Sequence, residues 1–177
     1  MNIVLTGFMG TGKSVIGKKL AQRLGMGYLD TDEIIEKREK CKIFQIFEEK
    51  GEGYFRKIET QVVKKIAGWD NYVIATGGGV VLKEENMAAL RKNGLIVCLS
   101  ADLETIWNRT AKNQRRPLLN CKNPKKRIES LLKERQPYYQ KVDFAIDTSK
   151  LNNVEVVERI IATLKKRKAK ASLTRES

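Results

Sequence analysis

Gly7-Phe8-Met9-Gly10-Thr11-Gly12-Lys13-Ser14 is the stretch that decides the fold. It fits G-x-x-x-x-G-K-[ST], follows the short apolar run Asn2 to Leu5 and opens a segment of helical periodicity over residues 13–24. A strand, a glycine-rich turn and a helix in that order make a phosphate-binding loop. The glycines permit a tight backbone whose N–H groups wrap phosphate oxygens, and the helix N-terminus adds the positive end of its dipole. In such a loop Lys13 reaches the β and γ phosphates of a nucleoside triphosphate, and the Ser14 hydroxyl ligates Mg²⁺.

The rest of the chain repeats this alternation. Further strand candidates are Tyr28 to Leu29, Tyr72 to Ala75, Gly94 to Leu99 and Phe144 to Ile146, each short and apolar enough to be buried on both faces. Helical periodicity fills residues 32–39, 52–67, 84–92, 102–109, 124–136 and 153–167. Strands alternating with helices predict an α/β fold, a parallel sheet covered on both faces, with ligands at the carboxyl ends of the strands. No linker or repeat interrupts residues 1–164, which read as one domain.

The balance of 35 Lys and Arg against 21 Asp and Glu leaves a net charge of +14. Such a field attracts nucleic acid, anionic membrane or phosphorylated small molecules alike. Most of it has an address. Residues 108–127 carry eight basic residues and no acid, which predicts a mobile loop over a site. Residues 165–177 carry six basic residues and one acid with little apolar pattern, which predicts a disordered tail. The remainder is nearly neutral.

Several chemistries are excluded. The longest apolar run, Leu95 to Leu99, is far below the roughly 18 residues that span a bilayer. The N-terminus begins in a strand with no signal-peptide pattern, so the expected location is cytoplasmic. Cys41, Cys98 and Cys121 are odd in number and widely spaced, and suggest neither disulfides nor a thiolate metal site. The absence of histidine removes imidazole catalysis and leaves Asp or Glu as the general base.

Larger phosphate-loop proteins hold magnesium with an aspartate at the end of a neighbouring strand. Here the strand Tyr72 to Ala75 runs into Thr76-Gly77-Gly78-Gly79 and supplies no acid. The alternative source is Asp30-Thr31-Asp32. If this segment is extended, residues i and i+2 share a face, so both carboxylates turn toward the phosphate loop. One then holds a magnesium-bound water while the other accepts a substrate proton. An aspartate here reads equally well as the cap of the helix over 32–39.

Taken together, Gly7 to Ser14, Leu29-Asp30-Thr31-Asp32, Phe55-Arg56-Lys57-Ile58-Glu59, Thr76 to Gly79, Arg116-Pro117-Leu118-Leu119 and Arg135-Gln136-Pro137-Tyr138-Tyr139 occur in the order and spacing of shikimate kinases. The resemblance runs from residue 2 to about 163. It implies a three-layer fold like that of nucleoside-monophosphate kinases, with a five-stranded parallel sheet and a mobile lid over about 108–127. It also implies transfer of the γ-phosphoryl group of ATP to the 3-hydroxyl of shikimate, with Mg²⁺, in chorismate and aromatic amino-acid biosynthesis.

By that resemblance Gly10, Thr11, Gly12, Lys13, Ser14 and Val15 hold the nucleotide, Arg109 stacks on adenine, and Arg116 closes on the phosphates. Ser14 and Asp30 serve magnesium. Asp32 binds substrate hydroxyls and is the base, so that Asp32, Lys13 and Arg116 carry catalysis. Arg56 and Arg135 clamp the substrate carboxylate, Gly77, Gly78 and Gly79 bring bare backbone to the ring, and Glu59 holds Arg56 from one helical turn away. The expected partner is the small molecule alone, for a monomer without nucleic-acid or membrane partners. A kinase of another polyol acid such as gluconate shares the loop but gives no reason for Arg56, Glu59 and the triple glycine. A nucleic-acid-binding protein gains support only from the charge.

Overall fold

The computed structural model describes residues 1–111 and 117–173. The strand before the phosphate loop, β1 (Asn2–Thr6), is buried at every position. Its alternate side chains point to opposite faces, as a strand buried on both sides requires. Helix α1 (Lys13–Leu24), β2 (Gly27–Asp30), α2 (Thr31–Glu39), α3 (Ile43–Ala67) and β3 (Tyr72–Ala75) follow. A 3₁₀ turn (Val80–Leu82) then leads to α4 (Glu84–Arg91), β4 (Gly94–Ser100) and α5 (Leu103–Thr110). After a second 3₁₀ turn (Pro117–Leu119) come α6 (Pro124–Tyr139), β5 (Phe144–Asp147) and α7 (Asn153–Leu173).

The strands form one sheet in the order β2-β3-β1-β4-β5. Every neighbouring pair is parallel, with Val4 beside Ile74 on one side and Ile96 on the other. The five-stranded parallel sheet expected from the sequence is therefore present. Val4, Ile74 and Ile96 face a core shared with Ile58, Val62 and Ile66 of α3 and Leu90 of α4. Ile3, Leu5, Val73, Val97 and Leu99 face the other layer, against Ile16 and Leu20 of α1 and Val156 and Ile160 of α7. A third cluster joins Phe8 of the phosphate loop to Ile106 of α5 and to Ile128 and Leu131 of α6. β1 lies where the strand order reverses, so its loop opens at the crevice where such sheets bind ligands.

Three local expectations change. α3 begins at Ile43, before the expected 52, and is broken at Gly51, whose φ of 77° and ψ of 169° suit glycine. Pro137 does not end α6; it sits inside the last turn, which runs on to Tyr139. α7 continues through Leu173, into the stretch expected to be disordered, because Lys, Arg and Ala form helix readily even without an apolar face. Arg167 in that extension holds both the backbone carbonyl and the carboxylate of Asp143, at 3.0 Å each. Within the segment 108–127, Leu118 and Leu119 of the second 3₁₀ turn pack against the Phe8 cluster.

The first residue of β1 is polar and fully buried, and it is satisfied on all sides. Asn2 donates from Nδ2 to the Trp69 carbonyl at 2.7 Å and accepts the Tyr72 N–H at Oδ1 at 2.9 Å, while its own N–H bonds to the Asn93 carbonyl. It thereby pins β1 to the approaches of both flanking strands. Asn2→Ala leaves the Tyr72 N–H without its acceptor and the Trp69 carbonyl with Asn93 as its remaining side-chain donor, and lowers the unfolding free energy by about 1–3 kcal/mol, read from urea titration. An unchanged midpoint contradicts this reading.

Candidate active site

The carboxylate of Asp30 organises the floor of the site. It ends β2, and its Oδ1 accepts the N–H groups of Asp32 (2.9 Å) and Glu33 (3.4 Å), capping α2. Its Oδ2 accepts the Ser14 hydroxyl at 2.8 Å and the Tyr28 hydroxyl at 3.1 Å. The cap and the phosphate-loop partner are one residue. The cap also corrects the expectation of an extended Asp30-Thr31-Asp32 segment. The chain turns helical at Thr31, so Asp32 reaches the site from the first turn of α2, and the two carboxylates share the cavity because a helix folds over the strand end.

The phosphate loop has the expected form. Gly12 precedes α1 with φ 95° and ψ 11°, a left-handed conformation that aims backbone N–H groups into the loop. Lys13 Nζ donates to the carbonyls of Gly7 and Phe8 at 2.8 Å each. Arg109, from the end of α5, donates to the Gly10 carbonyl (3.2 Å) and to Thr148, at its hydroxyl (3.0 Å) and its carbonyl (2.9 Å). Gly10, Gly12, Lys13, Arg109 and Thr148, with Ser14, Val15, Leu151 and Asn153, line a cavity of about 420 Å³.

A second cavity of about 460 Å³ adjoins it, sharing Ser14, Asp30, Asp32 and Gly78. Its walls bring together Arg56, Glu59, Gly77, Gly78, Gly79 and Arg135, the residues assigned to substrate. Arg56 donates to Glu59 at 2.8 Å and to Glu52 at 3.0 and 3.2 Å. Phe44, Phe47 and Phe55 give one wall an apolar surface. Two of the glycines have a steric reason. A Cβ on Gly79 would lie 2.6 Å from the guanidinium carbon of Arg56, and one on Gly77 would lie 2.7 Å from Asp32 Oδ1 and 3.0 Å from Glu59 Oε1. Glycine here makes room for the charged groups, beyond the expected approach of backbone to a ring.

Three buried polar atoms at this cavity have no hydrogen-bond partner among the described residues: Asp32 Oδ1, Glu59 Oε1 and Arg135 Nε. Buried groups of this kind call for a ligand or water. Burial, with Asp30 and Glu59 as like charges nearby, pushes the Asp32 carboxyl up to about 7 against the pull of Lys13. Burial also raises the Glu59 carboxyl, opposed by the Arg56 guanidinium.

A family model described as shikimate kinase matches residues 9–165 of this chain. The chain belongs to the shikimate kinase family. It is 49% identical over 160 residues to the shikimate kinase of Thermoanaerobacter pseudethanolicus, covering 90% of this chain and 94% of the relative. It is 50% identical over 160 residues to that of Thermodesulfovibrio yellowstonii, covering 90% and 92%. Among solved structures, shikimate kinase from Acinetobacter baumannii in complex with shikimate matches with a TM-score of 0.91 at 35% identity, covering 94% of each chain.

Within this shikimate-kinase fold the motifs converge on the two adjoining cavities. Arg116 lies outside the described residues, as do Lys112 and Arg115, so its expected place at the phosphates is not described. Sequence reasoning missed Tyr28, Thr31 and the Phe44–Phe47 wall, and it expected the segment from Asp147 to Asn152 near the nucleotide without singling out Thr148. Thr31 was in view in Asp-Thr-Asp, but nothing in sequence says that its hydroxyl accepts the Gly77 N–H at 2.8 Å. Phe44 and Phe47 sit in the helical stretch before Gly51, which the periodicity did not claim.

The raised carboxyl of Asp32 has a defined sign for stability. Its ordinary pKa is 3.8, so between about pH 4 and 7 the folded state holds a proton that the unfolded state has lost. Stability therefore falls as pH rises through this window, by up to about 4 kcal/mol, and Asp32→Asn removes the fall. The variant should be more stable than the parent at pH 8 and equal to it near pH 4, measured by urea midpoints. A constant difference across that range would sink the assignment.

Proposed function

We propose that this chain transfers the γ-phosphoryl group of ATP to the 3-hydroxyl of shikimate, with the roles divided between the two adjoining cavities. The observation that carries this reading is the cavity holding Arg56 and Arg135 on its walls beside an unpartnered, proton-poised Asp32. Shikimate has one carboxylate, three hydroxyls and a ring. Two guanidiniums suit the carboxylate, Asp32 suits a hydroxyl, and the phenylalanine wall suits the ring face.

Asp32 acts as general base, taking the proton of the attacking hydroxyl; a group titrating near 7 is matched to that task. Glu59 orients Arg56 through the 2.8 Å bond and keeps its guanidinium against Gly79. Lys13 exchanges the loop carbonyls of Gly7 and Phe8 for phosphate oxygens, and the loop amides bind the remaining ones. Arg109 fixes the rim of the nucleotide cavity, where its planar face is free to stack on a base. Arg116 supplies positive charge to the transferred group.

The donor set fits magnesium: Ser14 Oγ and Asp30 Oδ2 are hard oxygens placed together at the junction of the two cavities. No group of three or more metal-ligating side chains occurs among the described residues, as suits an ion that keeps most of its waters and takes phosphate oxygens. Bound there, Mg²⁺ neutralises phosphate charge. The reading further places the enzyme in the cytoplasm as a monomer. No helix among the described residues is long and apolar enough to cross a membrane.

The primary test is release of ADP on addition of shikimate and Mg-ATP to purified protein, with gluconate as comparison; turnover on gluconate alone refutes the assignment. Asp32→Asn should lower kcat by about 10²- to 10⁴-fold while ATP affinity, read by calorimetry, changes little. Gly79→Ala should raise the KM for shikimate about tenfold or more by displacing the Arg56 guanidinium, with the KM for ATP unchanged. Equal rises in both KM values would place the effect outside the clamp.

A further inference from the structure

Tyr139 ends α6, one turn beyond Arg135 and two residues after Pro137. Its ring packs against two apolar clusters at once, the one under α3 and α4 and the one around Phe8. A phenylalanine would serve that packing equally. The hydroxyl does something a phenylalanine ring cannot: it donates to the Gly78 carbonyl at 2.7 Å.

We propose that Tyr139 is a positioning residue for the substrate cavity, its hydroxyl locking the Gly78 carbonyl to α6 so that the glycine segment and Arg135 are presented as one surface. This rests on the shikimate-kinase reading of that cavity. The other ties of the segment lead elsewhere. The Gly77 N–H bonds to the Thr31 hydroxyl on α2, and Asn86 of α4 donates to the Val80 carbonyl. The tie to the helix bearing Arg135 runs through Tyr139.

Two observations explain why such a tie is needed. Pro137 lacks an N–H, so the last turn of α6 has one fewer helical hydrogen bond and holds its end less firmly. Arg135 is 3% exposed, lies 5.8 Å from the centroid of the Phe8 ring, and has an unpartnered Nε. Its position relative to Gly78 depends on the backbone of α6, and Tyr139, whose hydroxyl also interacts with the Arg135 guanidinium, fixes that backbone one turn away on the same face. Burial raises the Tyr139 hydroxyl well above its ordinary range, with the Arg135 guanidinium opposing, so it remains a neutral donor at every working pH.

Tyr139→Phe keeps the ring and removes the donor. The expected result is a shikimate KM raised about tenfold, the cost of leaving one buried acceptor unpaired. The KM for ATP and kcat should stay within about twofold. Hydrogen exchange of the free protein should quicken in residues 77–82, whose Val80 and Leu82 amides bond within the segment, while residues 7–14 keep their protection. A lower melting temperature with an unchanged shikimate KM overturns the proposal, as does a parallel rise in both KM values. If the parent enzyme itself fails to phosphorylate shikimate, the reading of the cavity falls, and the exchange measurement alone decides the proposal: unchanged exchange over 77–82 overturns it.

Discussion

The Asp30 carboxylate is the interaction on which the site depends. One of its oxygens ends a strand and starts a helix; the other holds the hydroxyl that follows the phosphate-loop lysine. These two tasks fix three elements, β2, α2 and α1, against one another at a single point. Because the cap sets where α2 begins, it also sets the direction from which Asp32 enters. A helix cap contributes about 1 kcal/mol to a protein, but here its loss would also unseat Ser14 and re-aim the base. The local energetics of a helix end and the geometry of phosphoryl transfer are thus the same few atoms.

The cavity beside it is expensive to build. Glu59 and Arg135 are buried, Asp32 is half-buried with one oxygen enclosed, and isolated buried charges are strongly disfavoured. Arg56 satisfies one oxygen of Glu59 and leaves the other open; Asp32 escapes much of the penalty by taking up a proton. Gly77 and Gly79 leave room for Asp32, Glu59 and Arg56 where any Cβ would collide with them. Unpartnered atoms in an otherwise well-bonded structure then mark where the interactions with substrate have been held in reserve.

The sheet and phosphate loop were legible because they rest on local signals: short β-branched runs, a helical period, and four fixed loop positions. Arg56, Glu59 and Arg135 were legible only through their resemblance to a family, since nothing local says that α3 and α6 face one cavity. Asp30 as cap and Asp30 as Ser14 partner read from sequence as alternatives, and the structure makes them compatible because a carboxylate has two oxygens. What escaped entirely was tertiary. Thr31, Thr148 and Tyr139 act through hydroxyls whose partners lie dozens of residues away, and a hydroxyl carries no sign of its partner. The reach of α7 was missed because a run of lysines is equally at home in a solvated helix and a loose tail.

The strand order has a consequence for how the molecule comes into being. The first strand to leave the ribosome is the middle strand of the sheet, and its neighbours are β3 and β4. Val4 must await Ile74 for its first partner in the ladder and Ile96 for its second. Pairings of this separation are entropically slow to close. The phosphate loop, though it precedes all but one of these strands in the chain, therefore acquires its shape late, after the chain beyond Ser100 has emerged. The motif that decides the fold is a product of the nearly finished fold, not a seed from which the rest grows.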